Sequence, residues 1–299
     1  MITPPYLNKG DKVAIVAPAR KIQPEDMAPA IRIFRSWGLE VVEGENLYAS
    51  FDQFAGKDSE RTADFQRMLD DESIKAIFCA RGGYGSVRII DRLDFSNFAR
   101  HPKWLVGYSD FTVVHSHINR NYKVETIHSA MPVNFKELDP GAPAVTSLKK
   151  ALFGADVSYA IPSHPLNREG KAHGRIVGGN LSILYSLAGT HSDIDTDGRI
   201  LFLEDVDEYL YHLDRMMMNL KRNGKLGHLS GIVVGGMTKM RDNEIPYGKT
   251  PYEIIADAVK EFDYPICFGF PAGHQDDNRA MILGREVSLE VSSEVSLHF

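Results

Sequence analysis

Hydrophobic residues in the first half of the chain form short continuous runs separated by amphipathic stretches. The apolar runs, each predicted to be a buried β-strand, occupy residues 12–17, 39–42, 74–80, 104–107 and 125–129. The stretches with helical periodicity occupy residues 24–37, 59–69, 86–93 and 110–118. This alternation predicts a mostly parallel sheet with helices on both faces, joined by right-handed crossovers.

The pattern weakens between residues 133 and 172. Segments 139–143 (DPGAP) and 161–165 (IPSHP) have the composition of connectors, and one short helix is predicted between them near 144–152. We therefore place a domain boundary close to Pro162. The predicted domains are residues 1–161 and residues 162–299.

Beyond this boundary the order of elements changes. Strands are predicted at residues 174–177, 199–204 and 231–234, and helices at 181–187, 210–222 and 252–261. The tail, 280–299, contains alternating segments at 287–291 and 295–299 that are typical of antiparallel strands. The second domain is thus expected to be α/β with antiparallel terminal strands.

Composition and charge argue against a nucleic-acid-binding protein and against a membrane-spanning one. The formal charge of −6, with no concentrated basic segment, argues against nucleic-acid binding. No run of about 18 apolar residues is present, so we expect no membrane span, and the first residues do not resemble a signal peptide. Cys79 and Cys267 lie inside apolar runs, which is typical of buried reduced thiols and favours a cytoplasmic protein.

Ser109 is the first candidate for chemistry. It follows the apolar run that stops at Gly107 and precedes the helical pattern that begins at Asp110. A serine at a strand-to-helix corner has an exposed hydroxyl, and the next backbone N–H points the same way. Ser109 is therefore a candidate nucleophile, although most corner serines are ordinary helix N-caps.

A serine nucleophile also requires an imidazole base and a carboxylate that orients it. Glu204 ends a buried strand, where a carboxylate needs a partner such as histidine. For the acids that follow it, Asp205, Asp207 and Glu208, we favour a solvated loop that caps the next helix. His274 lies in a Pro/Gly loop after another apolar strand and is the best placed of the eleven histidines.

The turn Arg81-Gly-Gly-Tyr-Gly85 follows the third strand and leads into a helix. It lacks the lysine of a phosphate-binding P-loop and the third glycine of a dinucleotide fingerprint. Its backbone N–H groups suit an oxyanion instead, and a purely structural turn is the alternative. No metal-binding motif is present, so we expect no metal and no cofactor.

Five motifs in order resemble the LD-carboxypeptidase family of serine peptidases, which includes muramoyltetrapeptide carboxypeptidases and microcin-immunity relatives. The resemblance covers nearly the whole chain. The motifs are RGGYG at 81–85, GYSDFT at 107–112, GGNL at 178–181, LED at 203–205 and GH at 273–274. The glycine that the α/β-hydrolase motif Gly-x-Ser-x-Gly requires two residues after its serine is replaced here by Phe111.

The resemblance implies a catalytic triad of Ser109 as nucleophile, His274 as general base and Glu204 as its orienting carboxylate. It also implies an oxyanion hole from backbone N–H groups, which map onto the Gly82–Gly83 turn, at Gly83, and onto Asp110, and Gly82 is a candidate substrate contact. The implied fold is a flavodoxin-like N-terminal domain and a smaller α/β C-terminal domain, with the site between them and homodimers usual. The implied reaction releases a terminal D-amino acid from cytoplasmic murein tetrapeptide.

Three further points stay open at this stage. Arg81 has the forked donors that suit a substrate carboxylate, or it pairs with a local acid. The substrate is a murein peptide or, as in the immunity relatives, a peptidyl-nucleotide conjugate that needs an exposed aromatic surface. Trp37 and Trp104 both fall in core-like patterns, which favours the murein peptide. A non-catalytic small-molecule-binding protein on the same scaffold is the alternative of another class.

Overall fold

The computed structural model describes residues Met1 to Phe299, and its elements form two β-sheets covered by helices. The strands are β1 (Lys12–Val16), β2 (Glu40–Glu43), β3 (Ile74–Cys79), β4 (Trp104–Gly107), β5 (Thr126–His128), β6 (Ser158–Pro162), β7 (Gly170–Asn180), β8 (Ile200–Val206), β9 (Gly231–Thr238), β10 (Ile266–Cys267), β11 (Met281–Leu283), β12 (Glu286–Val291) and β13 (Glu294–His298).

Most helices lie where the periodicity predicted them, but the helix at residues 96–100 was not predicted. The helices are α1 (Pro24–Ser36), α2 (Asp58–Asp70), α3 (Ser86–Ile89), α4 (Ser96–Arg100), α5 (Thr112–Asn121), α6 (Pro143–Phe153), α7 (Leu181–Leu187), α8 (Leu210–Arg222) and α9 (Pro251–Ala258). Three 3₁₀ segments add short turns at Ile90–Arg92, Ser109–Phe111 and Pro132–Lys136. None of the helices combines the length and the apolarity needed to cross a bilayer.

The first sheet has the strand order β11-β5-β4-β3-β1-β2. All neighbouring pairs are parallel except β11 with β5. The parallel part has the order of flavodoxin-like folds, in which ligands bind beyond the carboxyl ends of the strands. Trp104 in β4 is fully buried and Trp37 after α1 is nearly so, as their sequence patterns predict.

The second sheet has the order β10-β9-β8-β7-β12-β13-β6. Strands β10 to β7 are parallel, and β12, β13 and β6 continue the sheet in antiparallel pairs. Both parts of the predicted fold class are therefore confirmed, a flavodoxin-like first sheet and an α/β second unit with antiparallel terminal strands. Cys79 and Cys267 are both buried and free.

The connector predicted at residues 161–165 is partly wrong. Ile161 and Pro162 belong to β6, which pairs with β13 at the end of the second sheet. Proline is tolerated there because an edge strand has one side without ladder hydrogen bonds. The prolines make the composition of the segment resemble a loop, although the backbone of Ile161 and Pro162 is extended.

Two strands belong to the sheet that is formed mainly by the other half of the chain. Strand β6 ends at Pro162 and joins the second sheet, while β11 lies far beyond Pro162 in the chain and joins the first sheet through Met281 opposite His128. The sheets are also tied by the N–H of Asn180, which donates to Thr112 Oγ1 at 3.1 Å. The boundary between residues 161 and 162 stays a prediction.

Candidate active site

Ser109 lies at the sharp corner between β4 and α5. Its φ is +62°, a left-handed conformation that is uncommon for a residue other than glycine. Such strained backbone is typical of functional corners, where it turns the side chain outward. Gly107 permits the tight return of the chain, because a Cβ there would lie 2.8 Å from the Phe111 ring.

Glu204 lies near the end of β8, flanked by β7 and β9, and its side chain is fully buried. Its Oε2 accepts two hydrogen bonds from one residue, His274, from ring Nδ1 at 2.7 Å and from the backbone N–H at 3.1 Å. A buried carboxylate of this kind requires such partners. The contact also selects the Nδ1–H tautomer of the imidazole, which leaves Nε2 free to accept a proton.

Three contacts position the loop that carries His274. The N–H of Gly273 donates to Asn278 Oδ1 at 2.8 Å, and Thr238 Oγ1 donates to the His274 carbonyl at 2.9 Å. Gly273 has a φ of +108°, and a Cβ at this position would lie 2.6 Å from Glu204 Cβ. Only glycine allows the loop to approach Glu204 this closely.

The remaining nitrogen of the imidazole reaches the serine. His274 Nε2 lies 3.0 Å from Ser109 Oγ, so hydroxyl, imidazole and carboxylate form one hydrogen-bonded chain. Burial lowers the pKa of His274, but the charge and hydrogen bond of Glu204 outweigh it, so the pKa is raised above 6.5. The Tyr108 ring packs against the imidazole with centroids 4.8 Å apart.

The glycine turn after β3 lies against the serine. A Cβ on Gly82 would be 2.9 Å from Ser109 Cβ and 3.0 Å from Ser109 Oγ. The N–H groups of Gly82 and Gly83 make no hydrogen bond to another protein group, and Gly83 is exposed with a φ of +112°. Asp110 is the second residue of the 3₁₀ segment, ahead of its internal hydrogen bonds. Free backbone donors and the serine are thus neighbours.

Arg81 is half-buried at the start of this turn. Its guanidinium makes no hydrogen bond and no ion pair within 4.0 Å. Its charge does act on Asp26, whose pKa is lowered mainly by the hydrogen bond from Lys136 and to a smaller extent by Arg81. Direct pairing of Arg81 with a local acid, one of the two alternatives from the sequence, is therefore not observed.

The solvated-loop interpretation is wrong for Asp205. This carboxylate is buried and accepts hydrogen bonds from Asn180 Nδ2 at 2.9 Å and from the N–H groups of Ser182 and Val206. Burial, together with the neighbouring charge of Glu204, raises the pKa of Asp205 to about 7. Asn180 is also the N-cap of α7, where its Oδ1 accepts a hydrogen bond from the Ile183 N–H.

The next two acids lie closer to solvent. Asp207 is exposed, and Glu208 accepts a hydrogen bond from His212 one helical turn later, at 2.7 Å. Lys239, which the sequence did not single out, lies near enough for its charge to lower the pKa of His274 slightly. It has a φ of +53° at the end of β9 and makes no ion pair within 4.0 Å.

Two further imidazoles lie behind the serine corner. His115 is fully buried and its Nε2 bonds to the Gly107 carbonyl at 2.9 Å, while neither ring nitrogen of the buried His128 has a protein partner. Burial lowers the pKa of His115 to about 4 and that of His128 well below its usual value. Both rings are therefore neutral near pH 7 and do not reach the serine.

Two family models match this chain. The LD-carboxypeptidase N-terminal domain matches residues 13–129, and the LD-carboxypeptidase C-terminal domain matches residues 173–289. A curated relative from Bacillus subtilis (strain 168), a probable murein peptide carboxypeptidase, is 35% identical over 297 residues. The alignment covers 98% of this chain and 93% of that protein.

Solved structures have the same architecture. Muramoyltetrapeptide carboxypeptidase from Oxalobacter formigenes aligns with a TM-score of 0.87 and 26% identity, covering 96% of this chain and 98% of that one. The microcin C7 self-immunity protein MccF, solved with aspartyl sulfamoyl adenosine, aligns with a TM-score of 0.86 over 100% of this chain and 99% of that one. At 20% identity, the second likeness shows the fold alone.

Proposed function

This chain belongs to the LD-carboxypeptidase family, and on that premise we propose that it is a serine carboxypeptidase of murein tetrapeptide. In this proposal it hydrolyses the bond between an L-centre and the terminal D-amino acid, which yields the tripeptide. The observation that carries the proposal is the hydrogen-bonded chain from Ser109 through His274 to Glu204.

Acylation begins when Ser109 Oγ attacks the scissile carbonyl carbon. His274 Nε2 accepts the hydroxyl proton, and the buried carboxylate of Glu204 stabilises the imidazolium that forms. The imidazolium then gives this proton to the departing amine, so the D-amino acid leaves with a neutral amino group. Water attacks the acyl-enzyme by the reverse route, and Ser109 regains its proton.

The negative charge that develops on the carbonyl oxygen needs donors already in place. We assign this role to the N–H groups of Gly83 and Asp110, with Gly82 supplying the close approach to Ser109. Donors of this kind contribute because they need no reorganisation during the reaction. The absence of a competing protein acceptor for the Gly83 N–H supports its assignment.

A carboxypeptidase also has to recognise a free terminal carboxylate. We assign this contact to Arg81, a half-buried residue at the start of the turn whose guanidinium has no protein partner. Its two parallel N–H donors match the two oxygens of a carboxylate.

We also propose that the protein acts as a homodimer in the cytoplasm. Two buried free thiols suit a reducing compartment, and the family resemblance favours the dimer. Light scattering of the purified protein measures the mass directly. A mass near 33.4 kDa at micromolar concentration would contradict the dimer.

The decisive experiment is product analysis by mass spectrometry. The wild-type enzyme is given murein tetrapeptide, matched peptides with an L-residue at the terminus, and an aminoacyl sulfamoyl adenosine. The expected result is that only the tetrapeptide is cleaved, with release of its terminal D-amino acid. Cleavage of the nucleotide conjugate alone would favour the immunity-type alternative, and binding without any cleavage would favour a non-catalytic protein.

A further inference from the structure

The side chain of Asp110 connects the serine corner to the glycine turn. Asp110 follows Ser109 directly, and its carboxylate is 1% exposed. Its Oδ2 accepts a hydrogen bond from the N–H of Ser86 at 2.8 Å. Ser86 is the first residue of α3 and comes directly after the glycine turn. One side chain therefore joins the loops that follow the neighbouring strands β3 and β4.

The far end of the turn is held from the opposite side. Arg61 is a buried residue of α2 whose Nη1 donates to the Gly85 carbonyl at 3.1 Å and to the Pro18 carbonyl. A Cβ on Gly85 would lie 2.5 Å from that nitrogen. The end of the turn is thus clamped between the Arg61 guanidinium and the Asp110 carboxyl group.

The two proposed oxyanion donors lie on these two loops. The N–H of Gly83 belongs to the turn, and the N–H of Asp110 belongs to the corner. Donors stabilise an oxyanion only when their separation is maintained before the reaction, and an error of about 1 Å is costly. A contact that joins the two loops controls that separation.

We propose that the Asp110 side chain is a positioning group that holds the glycine turn against the serine corner and so preorganises the oxyanion hole. This inference rests on the proposed serine mechanism. Asp110 then has two separate roles. Its backbone N–H faces the substrate, and its side chain acts through Ser86. The side chain does not touch the reacting atoms.

Burial raises the pKa of the Asp110 carboxyl group, while the adjacent backbone of Ser86 and Gly85 and the charge of Arg61 act in the opposite direction. Its second oxygen, Oδ1, has no protein partner. What the position requires is therefore an acceptor for the Ser86 N–H, and an asparagine carbonyl supplies the same acceptor without charge.

The test compares Asp110→Ala and Asp110→Asn with wild type. The first readout is the rate at which a fluorophosphonate labels Ser109, which depends on the oxyanion hole but not on the peptide substrate. The second is kcat and KM for murein tetrapeptide. Asp91→Ala, an exposed acid on the 3₁₀ segment after α3, is the matched control.

We expect Asp110→Ala to lower both the labelling rate and kcat by at least about tenfold, within the range for loss of an oxyanion donor. KM should stay within about twofold, and Asp110→Asn should stay within about threefold of wild type, since it keeps the acceptor. If Asp110→Ala does not fold, Asp110→Ser replaces it, because its hydroxyl is too short to reach the Ser86 N–H.

Three results would overturn the positioning role. These are wild-type labelling by a folded Asp110→Ala or Asp110→Ser, equal damage in Asp110→Asn, and an effect confined to KM. A wild-type enzyme that is labelled at Ser109 but does not cleave murein tetrapeptide would refute the substrate alone. A wild-type enzyme that is never labelled would refute both the serine mechanism and this inference.

Discussion

Ser109 Oγ and His274 Nε2 are 3.0 Å apart, although the two residues are separated by 165 positions in the chain. The serine follows a strand of the first sheet, and the histidine follows a strand of the second. Hydrogen bonds between nitrogen and oxygen usually have donor–acceptor distances of about 2.7–3.2 Å. The packing of one sheet against the other therefore controls whether the proposed base, His274, can reach the proposed nucleophile, Ser109.

Replacing the serine tests the nucleophile. Ser109→Ala should lower turnover of murein tetrapeptide by about 10³-fold or more while substrate binding persists, because the oxyanion donors and substrate contacts remain. Calorimetry measures the binding and mass spectrometry the product. The double variant Ser109→Ala/His274→Ala should be no slower than the single one, since the residues act as a unit. Retention of more than about a tenth of wild-type turnover would contradict the assignment.

The pH profile tests the pairing of Glu204 with His274. Only the neutral imidazole accepts the serine proton, so kcat/KM should fall as the pH drops through the raised pKa of His274. Glu204→Gln removes the group that raises this pKa, while the burial that lowers it remains. The acidic limb should therefore move to lower pH, with a lower maximum rate.

The comparison requires both profiles under one buffer series. An acidic limb that stays in place in Glu204→Gln, or moves to higher pH, would show that Glu204 does not set the basicity of His274. Thermal unfolding of both proteins separates this effect from loss of the folded state.

The contact between Gly82 and Ser109 predicts a sensitive position. In Gly82→Ala the new Cβ would lie 2.9 Å from Ser109 Cβ, so the turn and the corner have to separate. We expect a fall in kcat of at least about tenfold, because the oxyanion donors move with the turn. Steady-state kinetics with murein tetrapeptide measures this change.

Gly227→Ala is the matched control for that variant. Gly227 has no left-handed φ, and its nearest neighbour to a new Cβ is 3.8 Å away. It should keep wild-type kinetics. Equal activity in Gly82→Ala and Gly227→Ala would mean that the turn is free to move without consequence for the reaction.

The unpaired guanidinium of Arg81 predicts a preference for peptide acids. Wild type should cleave the peptide acid faster than the matching amide, and Arg81→Ala should lose most of this difference, mainly through KM. Arg81→Lys should restore only part of it, because lysine keeps the charge without the fork. Arg35→Ala, an exposed arginine of α1, is the control. The same acid-to-amide ratio in wild type and Arg81→Ala would exclude Arg81 as the anchor.

Much of the fold follows from local pattern. Helices α7 and α8 begin and end at the predicted residues, because their apolar spacing is a property of the segment itself and Asn180 directly before α7 caps it. Strand β11 is different. It is three residues long and pairs with β5, more than 150 positions away, and no local periodicity encodes such a partner.

The same distinction holds for the site. The corner at Ser109, the strand end at Glu204 and the loop at His274 were recognisable because glycine, apolar runs and chemically active side chains occur together there. The burial of Asp205 was not recognisable, because four acids within five residues are typical of a solvated loop. Only the folded structure places Asn180 and Ser182 beside Asp205 as its hydrogen-bond partners. A polar group can be buried at low cost only where the tertiary structure supplies its hydrogen-bond partners.

From the sequence alone came the alternation of elements, the family resemblance and the identity of three candidate side chains. Tertiary structure alone decided that their atoms lie 2.7 Å and 3.0 Å apart, that Arg81 has no acidic partner and that the Asp110 side chain reaches Ser86. The reason is physical. Periodicity and turn chemistry act over a few residues, whereas these distances depend on how two sheets and their loops pack.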